Sequence, residues 1–189
     1  LKQIVILGII GSDAESSNGC FASRGIAEDI LLKGAVPATI LRVPMVLGEG
    51  DYASVSLQRK AGKKVIFNFR AASLEQPIYA GDVVNAICAL VETPAQEQIL
   101  ELGGPESLTR AELIQRAGSI VGKEPIVISV PVVIGKWIGR AFAKVMSSPP
   151  VTEDMIDLLD HDDNIDAIPV AKKLGIELTP LDVMLGRVI

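Results

Sequence analysis

Along this chain, short and wholly apolar runs alternate with longer segments in which apolar residues recur every three or four positions. Ile4 to Ile10 is the first such run, rich in β-branched residues and of strand length, the pattern of a parallel strand covered on both faces. A polar loop from Gly11 to Gly19 follows it. From Phe21 to Leu32 the spacing predicts a helix with Ile26, Ile30 and Leu31 on one face and Glu28 and Asp29 on another. Gly34 stops that helix, and Thr39 to Val43 is the next strand. Strand, helix and strand in this order form a βαβ unit, whose crossover is right-handed in nearly all sheets.

The pattern continues in the same style. A loop bearing Gly48 and Gly50 leads into a predicted helix over Tyr52 to Ala61, and Lys64 to Phe69 is a short strand. Gln76 to Ala80 is another, running into a helix over Asp82 to Val91 with Asp82 as its expected N-cap. Ile99 to Leu102 is a strand closed by Gly103-Gly104-Pro105. Thr109 with Glu112 three residues on is a capping box, opening a helix that runs to about Val121 and ends at Gly122. Ile126 to Val130 is β-rich, and after it Val133, Ile134, Trp137, Ile138, Phe142 and Val145 form a stripe at helical spacing. The C-terminal stretch reads as helical and acidic, with turns at Pro149-Pro150, at Pro169 and at Thr179-Pro180. There Thr179 is the expected N-cap and Pro180 the first helical residue. No repeat or linker divides residues 1–189, so a single α/β domain is expected.

Composition narrows the possibilities. Apolar residues at 49% and charged ones at 22% match the globular average and exclude disorder. A net charge of −5 leaves no basic face for a nucleic-acid partner. Cys20 and Cys88 cannot build a disulfide framework, which fits a cytoplasmic setting. The mean hydropathy of +0.39 raises the question of membranes. However, the longest apolar candidate, Val130 to Met146, is broken by Lys136 and Arg140 and is too interrupted to span. A helix touching a membrane surface through this stretch, flanked by Lys136, Arg140 and Lys144, is the alternative. Because Leu1 runs at once into a core strand, the chain reads as a piece of something longer.

Two stretches invite a chemical reading and fail it. Gly8-Ile9-Ile10-Gly11-Ser12-Asp13-Ala14 fits a loose dinucleotide fingerprint, but that device needs a helix starting at its glycines so that the first amides meet the pyrophosphate. Here a polar loop follows instead, and the segment reads as a strand end. His161 sits among Asp157, Asp160, Asp162, Asp163 and Asp166 without the glycine and final glutamate of a calcium loop, so no metal is assigned.

A resemblance rests on four stretches in order: Cys20-Phe21-Ala22-Ser23-Arg24-Gly25-Ile26-Ala27-Glu28, Thr39 to Gly48, Gln76 to Ile87, and Leu102 to Thr109. Together they resemble the C-terminal portion of an extended or atypical short-chain dehydrogenase/reductase, in the NAD(P)-binding branch of sugar-epimerase-like proteins and the 39 kDa-type accessory subunit of respiratory complex I. The resemblance implies the C-terminal half of a doubly wound, Rossmann-like parallel sheet plus a small α/β cap on the substrate side. In that family the glycine fingerprint and the first four strands lie upstream. NAD or NADP is therefore expected in the intact parent and not held by this chain alone. The positions matching the cofactor-lining segment are Val43, Pro44, Met45 and Val46, with Arg24 in reach of a ribose or phosphate.

The same resemblance implies that standard catalysis is missing. Active members use a Tyr-x-x-x-Lys pair in which the lysine tunes the phenol for proton transfer. The matching positions are Cys20 and Arg24, and the family's serine or threonine falls at Gly8 or Ile9. A guanidinium does not replace a lysine in that role. The expected function is an NAD(P)-binding protein with a structural, sensing or assembly role. Two rival readings are an active oxidoreductase or epimerase on a nucleotide-sugar or small carbonyl compound, and a cofactor-free interaction module of a membrane-associated complex. The first strand's open edge is expected to take the missing N-terminal half or a second copy as a partner.

Overall fold

Three parallel strands form the main sheet. β1 (Ile4–Ile9), β2 (Ala38–Val43) and β7 (Gln98–Glu101) lie in the order β1-β2-β7, so β2 is central and β1 is an edge. The computed structural model describes residues 1–94, 96–134 and 162–189. The register aligns Gly8, Arg42 and Glu101 in one row across the sheet. Because side chains alternate between faces, Ile6, Gly8, Ile40 and Arg42 point to one side and Leu7, Leu41 and Leu100 to the other. α1 (Gly19–Leu32) covers the first side, and α3 (Ala80–Glu92) with α5 (Ile168–Leu174) covers the second.

The remaining elements make a second layer. β3 (Val46–Leu47) pairs in parallel with β6 (Ile78–Tyr79), and β4 (Val65–Phe69) with β9 (Ile126–Val130). β5 (Leu74–Glu75) pairs antiparallel with β8 (Leu108–Thr109). α2 (Tyr52–Ala61), α4 (Arg110–Ile120) and α6 (Leu181–Val188) pack on these short strands. The buried side chains accordingly fall into two clusters. One joins Leu41, Val43, Ile78, Val83 and Leu100 around the main sheet; the other joins Leu47, Leu57, Ile66, Leu113 and Met184. The chain crosses from one to the other between Val43 and Leu47.

Several expectations hold and several need correction. The capping box is present: Glu112's backbone N–H donates to Thr109 Oγ1, and Glu112's carboxylate accepts from the Thr109 N–H. β1 is not covered on both faces, since Leu7 remains 44% exposed beside the open edge. α1 is turned relative to its expected polarity. Glu28 is 3% exposed against the sheet, while Ile26 and Ile30 are 49% and 67% exposed. Gly25 lets the helix close onto the loop after β1: a Cβ there would run into the backbone of Asp13 and Ala14.

Asp82 is not the N-cap of α3, a position taken by Tyr79. Its buried carboxylate accepts from the Thr179 N–H at 2.7 Å and from the Thr179 hydroxyl at 2.8 Å. That use of Thr179 moves the N-cap of α6 to Pro180. Pro169 is not a turn but sits in the first turn of α5, where a missing N–H costs nothing. The apolar stripe from Trp137 to Val145, the Pro149-Pro150 turn and His161 lie outside the described residues. No helix among the described residues is long and apolar enough to cross a membrane.

Two predictions follow from these polar contacts. Asp82→Ala leaves the Thr179 donors facing an apolar stub and should cost about 1–3 kcal/mol in a urea titration. Asp51 caps α2 by accepting from the Ser54 N–H at 2.9 Å and from the Ser54 hydroxyl at 2.8 Å. Burial works to raise its pKa, but these bonds and those from the Gly48 and Ala53 N–H groups outweigh it and hold the carboxyl below its ordinary value. A depressed folded pKa means stabilisation that is complete above the unfolded value, near about 4, and is lost as pH falls through the folded value. Acid titration of stability should therefore be steeper in the wild type than in Asp51→Asn over that window.

Candidate functional site

The C-terminal ends of parallel strands are where open α/β sheets bind their ligands, and here that end is built from β1, β2 and the start of α1. Ile9 and Val43 are paired at the top of their strands. The chain leaves Ile9, passes through the loop to Asn18, and starts α1 only at Gly19. Asn18 caps the helix, its side-chain oxygen accepting from the N–H groups of Cys20 at 2.9 Å and Phe21 at 3.3 Å. The helix begins eight residues beyond Gly11, so its first amides are not offered at the fingerprint-like glycines.

Cys20, Arg24 and Glu28 are spaced four apart and form a stripe on one side of α1. Glu28 fixes which way that stripe faces. Its Oε2 accepts from Arg42 Nη2 at 2.6 Å and from Arg42 Nε at 3.0 Å. Glu101 takes the other edge of the guanidinium, with Nη1 at 3.4 Å. Burial works to lower the Arg42 pKa, but these two carboxylates outweigh it and hold the group above its ordinary value. At a rise of about 1.5 Å per residue, Arg24 stands roughly 6 Å and Cys20 roughly 12 Å further along the helix toward the open end of the sheet. Cys20 is half-buried in the first turn and Arg24 is exposed.

The four residues after the central strand are mostly occupied by packing. Val43 is buried in the core around the main sheet, and Met45 packs against the second core while its carbonyl accepts from the Ile78 N–H at 2.9 Å. Val46 is paired with Ile78 in the β3–β6 ladder, and Pro44 is half-buried between them. They present an apolar wall and backbone groups just beyond the central strand.

Gly8, one of the two positions that the resemblance aligns with the family's serine or threonine, has no room for a side chain. A Cβ there would collide with Glu28 Oε1 and come within 3.1 Å of Arg42 Cγ, so the buried ion pair occupies the space a side chain would need. The same Oε1 is buried without a hydrogen-bond partner. The sequence reading missed the Glu28–Arg42–Glu101 row altogether. Its one available signal was a glutamate two turns after Cys20 and an arginine inside an otherwise apolar strand. Among the described residues there is no group of three side chains suited to hold a metal ion.

No protein-family model and no curated protein matches the sequence. Solved structures do match the fold. A nucleoside-diphosphate-sugar epimerase from Staphylococcus aureus superposes with a TM-score of 0.70 at 16% identity, over 98% of this chain and 65% of that one. A UDP-glucose 4-epimerase from Thermus thermophilus in complex with NAD gives 0.68 at 14% identity, over 99% and 62%. A human epimerase family protein with NADPH gives 0.70 at 15% identity, over 99% and 65%. The chain has the Rossmann-like α/β fold of these proteins and spans a little under two thirds of their length.

The geometry at Gly8 gives a sharp test. Gly8→Ser should destabilise the protein by about 1–3 kcal/mol through overpacking. In a Glu28→Ala, Arg42→Leu background, which clears the space, the same change should cost clearly less. Equal costs in the two backgrounds, measured by urea denaturation, would mean that Glu28 does not lie over Gly8.

Proposed function

We propose that this chain is the substrate-side portion of a nicotinamide-dinucleotide-binding protein that does not carry out standard short-chain-dehydrogenase catalysis and serves a structural, sensing or assembly role. The observation that carries the reading is the α1 stripe. It aims toward the open end of the sheet and has Cys20 and Arg24 where a phenol and an amine would be required, with Gly8 sealed by Glu28. Neither a thiol flanked by an exposed guanidinium nor the apolar wall of Val43 to Val46 supplies a tuned proton donor. The fold likeness to epimerases solved with NAD or NADPH supports the choice of ligand class.

On this reading the dinucleotide is not held by these residues alone. The open edge of β1 supports a partner there. Leu7 is exposed on it, and the helices on either side turn apolar residues outward, Ile26 and Ile30 on α1 and Val84 and Val91 on α3. An additional strand with its own helices, from an N-terminal half or from a second copy, would pair the edge and cover these side chains.

Thermal melting with NADH and NADPH tests the proposal. The chain by itself should show no shift at millimolar dinucleotide. The same chain joined to the sequence encoded immediately upstream should melt higher in the presence of one of them. Failure of the longer protein to respond would remove the cofactor from the reading. Turnover of a nucleotide-sugar that survives Cys20→Ala and Arg24→Ala would replace it with an unorthodox enzyme.

A further inference from the structure

The ribbon of β4 and β9 is apolar toward solvent. Its parallel register sets Val65 beside Ile126, Phe67 beside Ile128 and Phe69 beside Val130. A period of two puts these six side chains on one face. The opposite face carries Ile66 and Val127, which pack on the second core. Parallel strands that are apolar on both faces are ordinarily covered on both. Here Phe67 is 70% exposed, Ile126 62%, Val65 45% and Ile128 41%, while Phe69 and Val130 are half-buried. The outward face holds no polar residue at all.

One end of this face is basic. Lys63 and Lys64 lead into β4, and Lys123 stands three residues before β9; all three are exposed. The Ile126 N–H donates to the Lys64 carbonyl at 2.9 Å, so the two approaches meet at the same end of the ribbon. Glu124 is the one acid in them. A chain that carries −5 overall thus gathers cations beside its exposed apolar strands. Contiguous apolar surface with a charged rim marks a place of contact.

The size of the face bears on what that contact is. Five residues of two neighbouring strands make a footprint of roughly 17 Å by 10 Å. That is well short of the roughly 800 Å² that each partner of a stable protein interface contributes. A bilayer demands no such matched area. Apolar side chains enter the headgroup region singly, and lysines beside them are attracted to the negative lipid surface.

We infer that the outer face of β4 and β9 docks on an anionic lipid surface, with Phe67 and Ile126 entering the headgroup region and Lys63, Lys64 and Lys123 meeting the lipid charges. The contact is peripheral and does not depend on a dinucleotide binding elsewhere in the chain.

Co-sedimentation of the full chain with vesicles tests it. The chain should pellet with mixed phosphatidylserine and phosphatidylcholine vesicles, and far less with phosphatidylcholine alone or in high salt. Phe67→Ser and Ile126→Ser should each weaken binding about tenfold or more, as should Lys63→Gln combined with Lys64→Gln. Tyr52→Ser, at an 88% exposed position at the far end of α2 from β4, should leave binding unchanged. All these sites are exposed, so the variants should melt close to the wild type without lipid. Absence of pelleting, equal pelleting with neutral vesicles, or pelleting that survives Phe67→Ser and Ile126→Ser would overturn the inference. Two other occupants would overturn it as well. A dimer in sedimentation equilibrium that Phe67→Ser abolishes would assign the face to a second copy. A large fall in the melting temperature of Phe67→Ser without lipid would assign it to packing by residues 135–161.

Discussion

The guanidinium of Arg42 is the constraint around which the rest of the main sheet is arranged. It stands on the central strand, on the face that α1 must cover, and cannot be left there uncompensated. Glu28 meets it from the helix and Glu101 from the neighbouring strand. A buried ion pair of this kind adds little net stability over an apolar contact, because desolvation consumes most of the Coulombic gain. Its effect is positional. Once Glu28 must face Arg42, the rotation of α1 about its axis is set, the stripe through Arg24 and Cys20 runs to the open end of the sheet, and Ile26 and Ile30 are left facing away.

The C-terminal segment is tied down by polar contacts of a different kind. Gln76 is buried beneath it, donating to the carbonyls of Gly104 at 2.8 Å and Ile165 at 3.0 Å and accepting from the Ile165 N–H at 2.8 Å. Asp82 holds Thr179 in the same way from the start of α3. The more conspicuous network, Arg116 with Glu106 and Asp182, lies at the surface, where solvent screening leaves such pairs little weight. The buried amide and carboxylate, not the surface arginine, therefore set where α5 and α6 dock. α5 completes the core of the main sheet while α6 completes the second, so these two side chains couple the two cores.

The local signals were legible in the sequence and the long-range ones were not. The βαβ unit, the span of α2 and the Thr109–Glu112 capping box depend on neighbours within a few residues, and each was visible as spacing. The direction of α1 was not. The rule that the apolar stripe faces inward assumes that the nearest surface is the one to be covered, and here the helix meets the loop after β1 with Gly25 and the sheet with Glu28, and offers its isoleucines elsewhere. Asp82 looked like a cap because it stands near a helix start. What it bonds is almost a hundred residues away in sequence, a partner no local rule can supply. The buried Glu75–Arg110 pair was hidden for a similar reason, since it depends on two-residue strands too short to carry a periodic signal.

The residues at Gly8, Glu28 and Arg42 are not independent of one another. A hydroxyl at Gly8 would need the space held by Glu28, and Glu28 is there because Arg42 requires it. Glu28 also fixes the stripe on which Cys20 and Arg24 sit. A side chain at Gly8 would force the ion pair apart and release the helix from its rotation. The bare backbone at Gly8 and the rotation of α1 are therefore two consequences of one contact, the Glu28–Arg42 pair.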